Sequence, residues 1–388
     1  MNGSISFALF LIFGGAALMS TFALFTRQSM LVGYIVLGGI LGPYGLNILP
    51  GSEVGDQASE IGIIFLLFLM GLHLYPQKLL QMFSKTIWVA LISSVLFAGV
   101  GYLIARLFGF SSMDGAIIGA AMMFSSTIIG LKLLPTTALH HQHTGELVIS
   151  LLLLQDLIAI VTLLFLQGAS AHKLSLWSLI MIVIALPILL LVAFLAQKYV
   201  VLKLLKKFNR IHEYIFLLSI GWCLGMVQLS QFLGLSAGIG AFIAGVALAA
   251  HPISQYIAES LKPLRDFFLV LFFFSIGAHF DAQDIPQIIV PALILAVVML
   301  GLKPWVFKWL LCQTNEAPSV AWEVGWRLGQ MSEFSLLIAY FIARTHMVSN
   351  LTSSLIQAAT ILSFIASSYV VVLRYPSPLA FSEKLRRD

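Results

Sequence analysis

Two seven-residue stretches, Phe68–Leu74 (F-L-M-G-L-H-L) and Phe274–Phe280 (F-S-I-G-A-H-F), indicate how this chain is organised. They share an initial phenylalanine and a Gly-x-His, and they start 206 residues apart. The same offset, without a gap, gives three further identities: Gly39 with Gly245, Gly119 with Gly325 and Ser126 with Ser332. A constant offset across identities so far apart in the chain predicts that its two halves are copies of one structural unit.

The composition is that of a protein that lies mostly within a membrane. Hydrophobic residues make up 60% of the 388 residues and charged residues 10%, whereas soluble domains carry about a quarter charged residues. This excludes a cytosolic enzyme, a disordered chain and a nucleic-acid binder. The apolar runs are continuous and about 18 residues or longer, unlike the short alternating strands of an outer-membrane barrel. No phosphate-binding or dinucleotide motif is present, so we expect no cofactor and no enzymatic activity.

The apolar runs predict an all-α polytopic membrane protein with about thirteen transmembrane helices. The predicted spans are 4–25, 29–42, 58–74, 86–105, 113–133, 145–167, 174–196, 212–230, 235–250, 264–280, 286–311, 319–343 and 352–373. With this map, seventeen of the 21 lysine and arginine residues fall on one side of the membrane and three on the other. Because basic loops face the cytoplasm, we expect the N-terminus outside and the C-terminus inside.

Matching spans are seven apart in order, so the two copies cross the membrane in opposite directions. Such inverted repeats are typical of secondary transporters, which hold their substrate near the bilayer midplane with interrupted helices. We therefore predict a first repeat at residues 1–173 (spans 1–6) and a second at 212–373 (spans 8–13). Residues 174–211 then form a linker helix with an inner basic loop, and 374–388 a short cytoplasmic tail.

Four charged residues lie inside predicted spans: Asp156, Glu333, Lys303 and Arg327. A charge at the bilayer centre costs about 2.5–3.5 kcal/mol on insertion scales, so such residues are functional candidates by default. Asp156 follows Gln155 within an apolar run. A carboxylate there binds either a proton or a monovalent cation, and this competition is sufficient for exchange, with Gln155 as a neutral oxygen ligand. The alternative is a structural Asp–Lys pair between helices.

A run of hydroxyl residues predicts an interruption in the fifth span, because such side chains compete for backbone hydrogen bonds. The run is Ser125, Ser126 and Thr127, and its mate in the twelfth span contains Ser332 and Glu333. If both helices unwind, Arg327 and Glu333 can neutralise the exposed helix ends. The alternative is two unbroken helices with polar side chains that merely bond to neighbours.

Lys303 has two interpretations on sequence alone. It can pair with Asp156 when the site is empty, or it can extend to the inner membrane surface. His140, His141 and His143 lie in a predicted inner loop and are either a pH sensor or ordinary solvated side chains. The Gly-x-x-x-Gly pairs Gly115/Gly119 and Gly221/Gly225 predict close helix packing.

Several motifs together resemble the Kef-type monovalent cation:proton antiporters, the bacterial potassium-efflux antiporters. The motifs are Gly33–Gly45, Phe68–Leu74, Ser125–Thr127, Gln155–Asp156 and Gly329–Phe334 (G-Q-M-S-E-F), and the resemblance covers essentially the whole chain. It implies the sodium/proton-antiporter inverted-repeat fold with two discontinuous crossing helices, a core and a dimerisation domain, and elevator-like alternating access. It also implies that Asp156 carries the ion or the proton and that Lys303 is the lysine that can pair with it.

The chain also departs from that family. His73 stands where Kef-type proteins usually carry glutamate, and the chain stops 15 residues after Leu373, where those proteins continue into a nucleotide-binding domain. We therefore expect any regulation to need a separate subunit, and we do not carry over gating by glutathione.

The sequence predicts a transporter that exchanges K⁺, or Na⁺, for H⁺, and the resemblance implies a homodimer in the bacterial inner membrane. The lipid bilayer is its main partner, and nucleic acid is not. The only expected metal is the monovalent cation at Asp156. By the same resemblance, the Gln-Asp pair favours K⁺ over Na⁺. Two other functions stay open: a gated cation channel on the same scaffold, and a secondary transporter for an organic anion.

Overall fold

The computed structural model describes residues 5–49, 53–73, 76–132, 143–171, 176–208, 210–345 and 348–377. Within these ranges the chain is almost entirely helical, which confirms the all-α prediction. The sixteen α-helices of the described residues are α1 Ile5–Phe25, α2 Met30–Leu41, α3 Glu53–His73, α4 Pro76–Leu107, α5 Ser112–Met122, α6 Thr127–Lys132, α7 His143–Ala171, α8 Leu176–Ala196, α9 Leu202–Lys207, α10 His212–Phe232, α11 Ala237–Ala249, α12 Ile253–Ala278, α13 Ile285–Gln313, α14 Pro318–Arg327, α15 Glu333–Thr345 and α16 Asn350–Arg374.

Length and composition alone identify many of these helices as membrane-crossing. Among the described residues, eight segments are long and apolar enough to span a bilayer: Ile5–Phe25, Thr86–Leu107, Ser112–Gly130, His143–Leu163, Ile184–Lys207, His212–Phe232, Ala282–Gln313 and Asn350–Arg374. Four shorter apolar helices accompany them, and two of these are the glycine-rich runs at 29–42 and 235–250. The multi-pass membrane class is therefore established, while the number thirteen stays a prediction.

Two helices are interrupted where the sequence predicts. Non-helical backbone at 123–126 separates α5 from α6, and non-helical backbone at 328–332 separates α14 from α15. Serine hydroxyls hold the start of each second half. Ser126 Oγ accepts a hydrogen bond from Ile129 N at 3.1 Å, and its mate Ser332 accepts one from Phe334 N at 3.1 Å. Both are N-terminal caps, which explains why the hydroxyl runs start new helices instead of continuing the old ones.

The chain divides into two compact units, each made of separate segments. The first comprises Met1–Pro50, Met82–Ile160 and Ile276–Asp388. Within it α13 packs on α14 and α16, α16 packs on α15, and α1 packs on α2. This unit holds both interrupted helices. The predicted division at 173 and 212 follows the sequence repeat rather than these units, and it stays a prediction.

The second unit comprises Gly51–Gln81 and Val161–Ser275. Its centre is the contact of α3 with α11, and α10 and α8 also pack on α11. α11 is buried on nearly every side, with ten of its thirteen residues inaccessible. Eight of its thirteen residues are alanine or glycine, and such small side chains let neighbouring backbones approach closely.

Close glycine contacts recur at the offset found in the sequence. In the second unit, a Cβ on Gly71 would lie 3.0 Å from the Gly245 Cα. In the first unit, a Cβ on Gly277 would lie 3.0 Å from the Gly39 nitrogen. Gly277 follows Gly71, and Gly245 follows Gly39, by 206 residues. The two pairs therefore occupy equivalent positions of the two predicted copies.

A second pair of close glycine contacts, both in the first unit, shows the same offset of 206 residues. A Cβ on Gly119 would lie 2.5 Å from the Ala98 carbonyl oxygen, and one on Gly325 would lie 2.6 Å from the Pro304 carbonyl oxygen. Ala98 and Pro304 are again 206 residues apart. Only glycine permits these helices to approach so closely.

The glycine-pair prediction is confirmed for one pair, and the other pair contacts no helix within the described part of this single chain. Gly115 and Gly119 on α5 both face neighbouring atoms closely, since a Cβ on Gly115 would lie 3.1 Å from the Tyr102 ring. Gly221 and Gly225 on α10 have no atom within 4 Å of such a Cβ. Both are exposed in the single chain, because α10 turns this face away from the helices that it packs on.

Candidate ion-binding site

The two interrupted segments contact each other inside the first unit. The Ser125 hydroxyl donates to the Leu328 carbonyl oxygen at 2.7 Å, and Gln330 Nε2 donates to the Ser126 carbonyl oxygen at 3.4 Å. Non-helical backbone at membrane depth is tolerated only where its N–H and C=O groups find hydrogen-bond partners in the protein. Through these reciprocal bonds, each interruption supplies hydrogen-bond donors to backbone carbonyls of the other.

Asp156 lies beside the start of α6 and is 4% exposed. The Thr127 hydroxyl lies 3.0 Å from Oδ1 and 3.1 Å from Oδ2 of the carboxylate. Gln155, the preceding residue of α7, accepts a hydrogen bond from Ser125 N at 3.1 Å through Oε1. The structure therefore brings together four of the predicted site residues, and it places the carboxylate at a helix N-terminus, where negative charge is favoured.

Glu333 supplies a second carboxylate to the same place. It is the first residue of α15, and its Oε1 accepts a hydrogen bond from Ile128 N at 3.3 Å. Glu333 is 5% exposed, and its partner Ile128 directly follows Thr127, whose hydroxyl bonds to Asp156. The prediction that Glu333 neutralises an exposed helix end agrees with this geometry. Two buried carboxylates in one place make the site attractive to a cation.

Lys303 occupies a position that neither sequence interpretation describes. Its ammonium group is fully buried and donates to the Phe124 carbonyl oxygen at 2.5 Å and to the Gln330 carbonyl oxygen at 3.2 Å. Among the described residues it forms no ion pair with Asp156, and it does not extend to the membrane surface. In this conformation the predicted Lys303–Asp156 pair is absent.

The physical reason for this position is the charge at the ends of the first half-helices. Backbone carbonyls just after α5 and α14 have no helical partner and carry partial negative charge. Phe124 and Gln330 stand 206 residues apart, so Lys303 joins equivalent carbonyls of the two predicted repeats. The Phe97 ring, whose centroid is 5.3 Å from the ammonium nitrogen, covers it on another side and adds a cation–π contact.

Arg327 is the last residue of α14, directly before the second interruption, and its role in neutralising that helix end stays a prediction. Its guanidinium donates to Glu323 Oε1 from Nε at 2.9 Å and from Nη2 at 2.7 Å. Nη2 also donates to the Pro376 carbonyl oxygen at 2.9 Å. Arg327 ends α14 one turn after Glu323, and residues four apart share a helix face. Lys303 and Glu333 are the side chains that bond directly to backbone groups of the interruptions.

Sequence reasoning missed two serines that complete the site from α16. Ser363 Oγ accepts a hydrogen bond from Met331 N at 3.0 Å, and the Ser367 hydroxyl donates to Gln330 Oε1 at 2.9 Å. Both serines are almost fully buried. The signal was present in the sequence, since hydroxyl residues recur every three or four positions in the last apolar run.

The ligands on offer are hard oxygens: carboxylates, hydroxyls and an amide carbonyl. Within the described ranges, no group of three or more histidine, cysteine, aspartate and glutamate side chains is placed to hold a metal ion. Oxygen ligands suit alkali and alkaline-earth cations better than late transition metals. His140 and His141 lie outside the described residues. His143 begins α7, away from this site, and its Nε2 lies 2.7 Å from Glu316 Oε2.

Comparison with known proteins identifies relatives that are named as transporters. The sequence model described as "Sodium/hydrogen exchanger, transmembrane" matches residues 9–373. K(+) efflux antiporter 4 of Arabidopsis thaliana is 28% identical over 92% of this chain and 63% of its own length. The glutathione-regulated potassium-efflux system protein KefC of Salmonella typhi is 29% identical over 84% of this chain and 53% of its own length.

A further sequence relative and a solved structure also match this chain. The iron transporter MagA of Paramagnetospirillum magneticum is 26% identical over 88% of this chain and 79% of its own length. The solved structure of the sodium proton antiporter MjNhaP1 from Methanocaldococcus jannaschii superposes with a TM-score of 0.70, covering 94% of this chain and 97% of that one at 17% identity. The resemblance to Kef-type antiporters and the expectation of a transporter rather than an enzyme are thereby confirmed. This chain belongs to the sodium/hydrogen exchanger family.

Proposed function

We propose that this protein is a monovalent cation:proton antiporter in which Asp156 binds the cation and the proton in turn. The observation that carries the proposal is the buried Asp156 carboxylate at the start of α6, joined to Thr127. One carboxylate that serves both ions supports exchange of one cation for one proton. The Asp156 carboxylate cannot hold the cation and the proton well at once. Release of one ion is therefore coupled to binding of the other.

The site residues divide the work between them. Asp156 supplies the charge, and Thr127 and Gln155 supply neutral oxygens that replace part of the cation's hydration shell. Lys303 and Glu333 hold the two interruptions in place through backbone carbonyls and amides. No cofactor takes part, and the transported ions are the only ligands.

K⁺ is the favoured cation and Na⁺ the alternative. The Gln155–Asp156 pair and the names of the Arabidopsis and Salmonella relatives support K⁺. This chain spans 63% and 53% of those two proteins, so their regulation is not carried over. The relative named as an iron transporter raises Fe²⁺ as a competitor, which the all-oxygen ligand set disfavours.

The proposed transport cycle is alternating access of elevator type, with the two interrupted helices crossing in an inverted-repeat core. The recurrence of glycine contacts at one offset supports the repeat. The proposed assembly is a homodimer in the bacterial inner membrane, with the N-terminus outside. The open face of α10 at Gly221 and Gly225 supports the dimer, because exposed glycines allow a second helix to approach closely.

The two remaining functions each lack support from the site. An organic-anion transporter would place its substrate's negative charge beside two buried carboxylates. A gated channel needs no carboxylate that alternates between ion and proton, so its currents would persist when Asp156 is neutralised.

The experiment that tests the proposal is an exchange assay in proteoliposomes. K⁺, Na⁺, Li⁺, Rb⁺ and Fe²⁺ are offered separately, and internal pH is followed. We expect proton movement coupled to K⁺, and to Na⁺ more weakly, with no response to Fe²⁺. Asp156→Asn should abolish coupled proton movement, whereas Asp266→Asn, an exposed carboxylate of the second unit, should leave it unchanged. Exchange that survives Asp156→Asn contradicts the proposal.

A further inference from the structure

An exposed apolar face runs along α8 in the second unit. The helical segment Ile184–Lys207, which contains most of α8 and all of α9, is long and apolar enough to span a bilayer. Large exposed side chains recur along it every three or four positions and therefore share one helix face. At 1.5 Å per residue this face is about 22 Å long, which exceeds the roughly 15 Å depth of one leaflet. We call it the α8 stripe, and it consists of Ile184, Ile188, Leu191, Leu195 and Tyr199.

The α8 stripe ends on a π-helical turn that joins α8 to α9, Gln197–Val201. The amide that follows this turn donates to the carbonyl oxygen five residues back, not four as in an α-helix. Lys198 and Lys203 are also five residues apart, and in an α-helix they would point about 140° away from each other. Here their ammonium nitrogens lie 5.5 Å and 5.7 Å from the centroid of one ring, that of Tyr199. Turns of this kind are frequent at functional sites.

The two lysines belong to a basic cluster that contains no acid. Residues 198–210 include four lysines and one arginine and neither aspartate nor glutamate. All five basic side chains are exposed. In the described part of the chain, none of the five forms an ion pair. Positive charge gathered in this way attracts an anion.

The position of this cluster indicates the kind of anion. Tyrosine is enriched at membrane–water interfaces, and lysine buries its aliphatic stem in apolar surroundings while its ammonium group reaches the headgroups. The predicted orientation places residues 198–210 on the cytoplasmic side, where the leaflet carries anionic lipid. An anionic phospholipid has two parts that match two neighbouring features: a phosphodiester for the lysines and an acyl chain for the α8 stripe.

Two other occupants match this face less well. A free phosphate would bind the lysines and leave the α8 stripe uncovered. A second copy of the chain would cover the stripe. Copies in one membrane have the same orientation, however, so a two-fold contact through this face would bring the two basic clusters together at the same depth. Like charges that meet across an interface oppose association.

We propose that Lys198, Tyr199 and Lys203 bind the phosphodiester of an anionic phospholipid of the cytoplasmic leaflet, whose acyl chain lies along the α8 stripe. The two ammonium groups bind phosphate oxygens, and the Tyr199 ring positions both of them through cation–π contacts. This binding site goes beyond the antiport function and shares with that proposal only the orientation in the membrane. Its test measures lipid binding, so its failure and the failure of antiport are distinguishable.

Lipid binding to the purified chain in an uncharged detergent is measured by native mass spectrometry. Phosphatidylglycerol, phosphatidylcholine with the same acyl chains, and glycerol 3-phosphate are titrated separately. We expect phosphatidylglycerol to bind at least about tenfold more tightly than either of the other two. Lys198→Gln together with Lys203→Gln should weaken its binding about thirtyfold, equivalent to about 2 kcal/mol, which is the contribution of two lysines near anionic headgroups.

Lys262→Gln together with Arg265→Gln is the matched control, because it removes the same charge from residues of the second unit that are also predicted to face the cytoplasm. The control should change the affinity for phosphatidylglycerol by less than about twofold, as expected for exposed charges outside the site. The site is refuted if both double variants weaken binding equally or if neither does. It is also refuted if phosphatidylcholine or glycerol 3-phosphate binds as tightly as phosphatidylglycerol.

Photocrosslinking locates the acyl chain independently. Benzoylphenylalanine replaces either Leu195 of the α8 stripe or Leu217, which is exposed on α10. Each variant is irradiated in liposomes of phosphatidylglycerol and phosphatidylcholine in equal amounts. We expect adducts at position 195 to be enriched in phosphatidylglycerol, adducts at 217 to follow the lipid mixture, and the enrichment to disappear when Lys198 and Lys203 are replaced by glutamine. Equal lipid composition at the two positions, or an adduct at 195 with a second copy of the chain, would overturn the proposal.

Discussion

Replacing Lys303 by methionine tests the most unexpected contact in the site. Methionine keeps the length of the side chain and removes its charge and its donors. The carbonyls of Phe124 and Gln330 then lose a partner while they stay buried. Each unsatisfied carbonyl costs about 1–3 kcal/mol. The protein no longer buries an ammonium group, which offsets part of that loss. We therefore expect the free energy of unfolding to fall by about 2–3 kcal/mol.

The assay is equilibrium unfolding in mixed detergent micelles, and Lys308→Met is the matched control. Lys308 lies on the same helix, and its ammonium is 4.7 Å from the centroid of the Trp322 ring. The control should lose less than about 1 kcal/mol, the value of a partly exposed cation–π contact.

A double-mutant cycle with Asp156→Asn separates the two roles of the lysine. If Lys303 acts through the carbonyls, the two substitutions should combine with a coupling below about 1 kcal/mol. A buried ion pair between Lys303 and Asp156 would instead give a coupling of about 3 kcal/mol or more, with Asp156→Asn rescuing Lys303→Met. That rescue would refute our reasoning.

Three further substitutions test other contacts in the first unit. Glu333→Gln keeps an acceptor for Ile128 N but removes the charge at the start of α15, so the free energy of unfolding in micelles should fall by about 0.5–2 kcal/mol. An unchanged free energy of unfolding would mean that the charge does not stabilise the helix start. Gly277→Val forces a branched side chain into a neighbouring backbone and should cost about 3 kcal/mol or more, whereas a thermal midpoint equal to wild type would show that the helices can separate freely. Arg327→Met breaks the bonds to Glu323 and should lower the free energy of unfolding by about 1–3 kcal/mol, while transport per folded molecule stays within about twofold. Loss of exchange without loss of stability would mean that Arg327 takes part in ion exchange.

The position of the carboxylate could be predicted from the sequence because its physical signal is strong. An aspartate such as Asp156 in the middle of an apolar run is expensive and therefore conspicuous. The interruptions were also predictable, since the hydroxyls at Ser126 and Ser332 offer caps to a new helix. Both signals are local, and local chemistry can be read from one segment at a time.

The partner of Lys303 could not be predicted for the opposite reason. Every residue has a backbone carbonyl, and a carbonyl becomes a ligand only when a helix ends beside it in space. Two opposite charges in apolar spans are, by contrast, readily predicted to pair. That reasoning led to the expected ion pair between Lys303 and Asp156. Arg327 was different, because Glu323 stands four residues earlier in the sequence, a spacing from which their pairing could have been predicted although it was not.

The lysine that joins equivalent carbonyls has a consequence for how the two interruptions can move. Lys303 bonds at once to the Phe124 carbonyl oxygen at 2.5 Å and to the Gln330 carbonyl oxygen at 3.2 Å. A displacement of one interruption that leaves the other in place breaks one of these bonds and leaves a buried carbonyl unsatisfied, which costs about 1–3 kcal/mol. Lys303 therefore couples the two interruptions mechanically, and in the antiporter proposed above it favours their movement as one body.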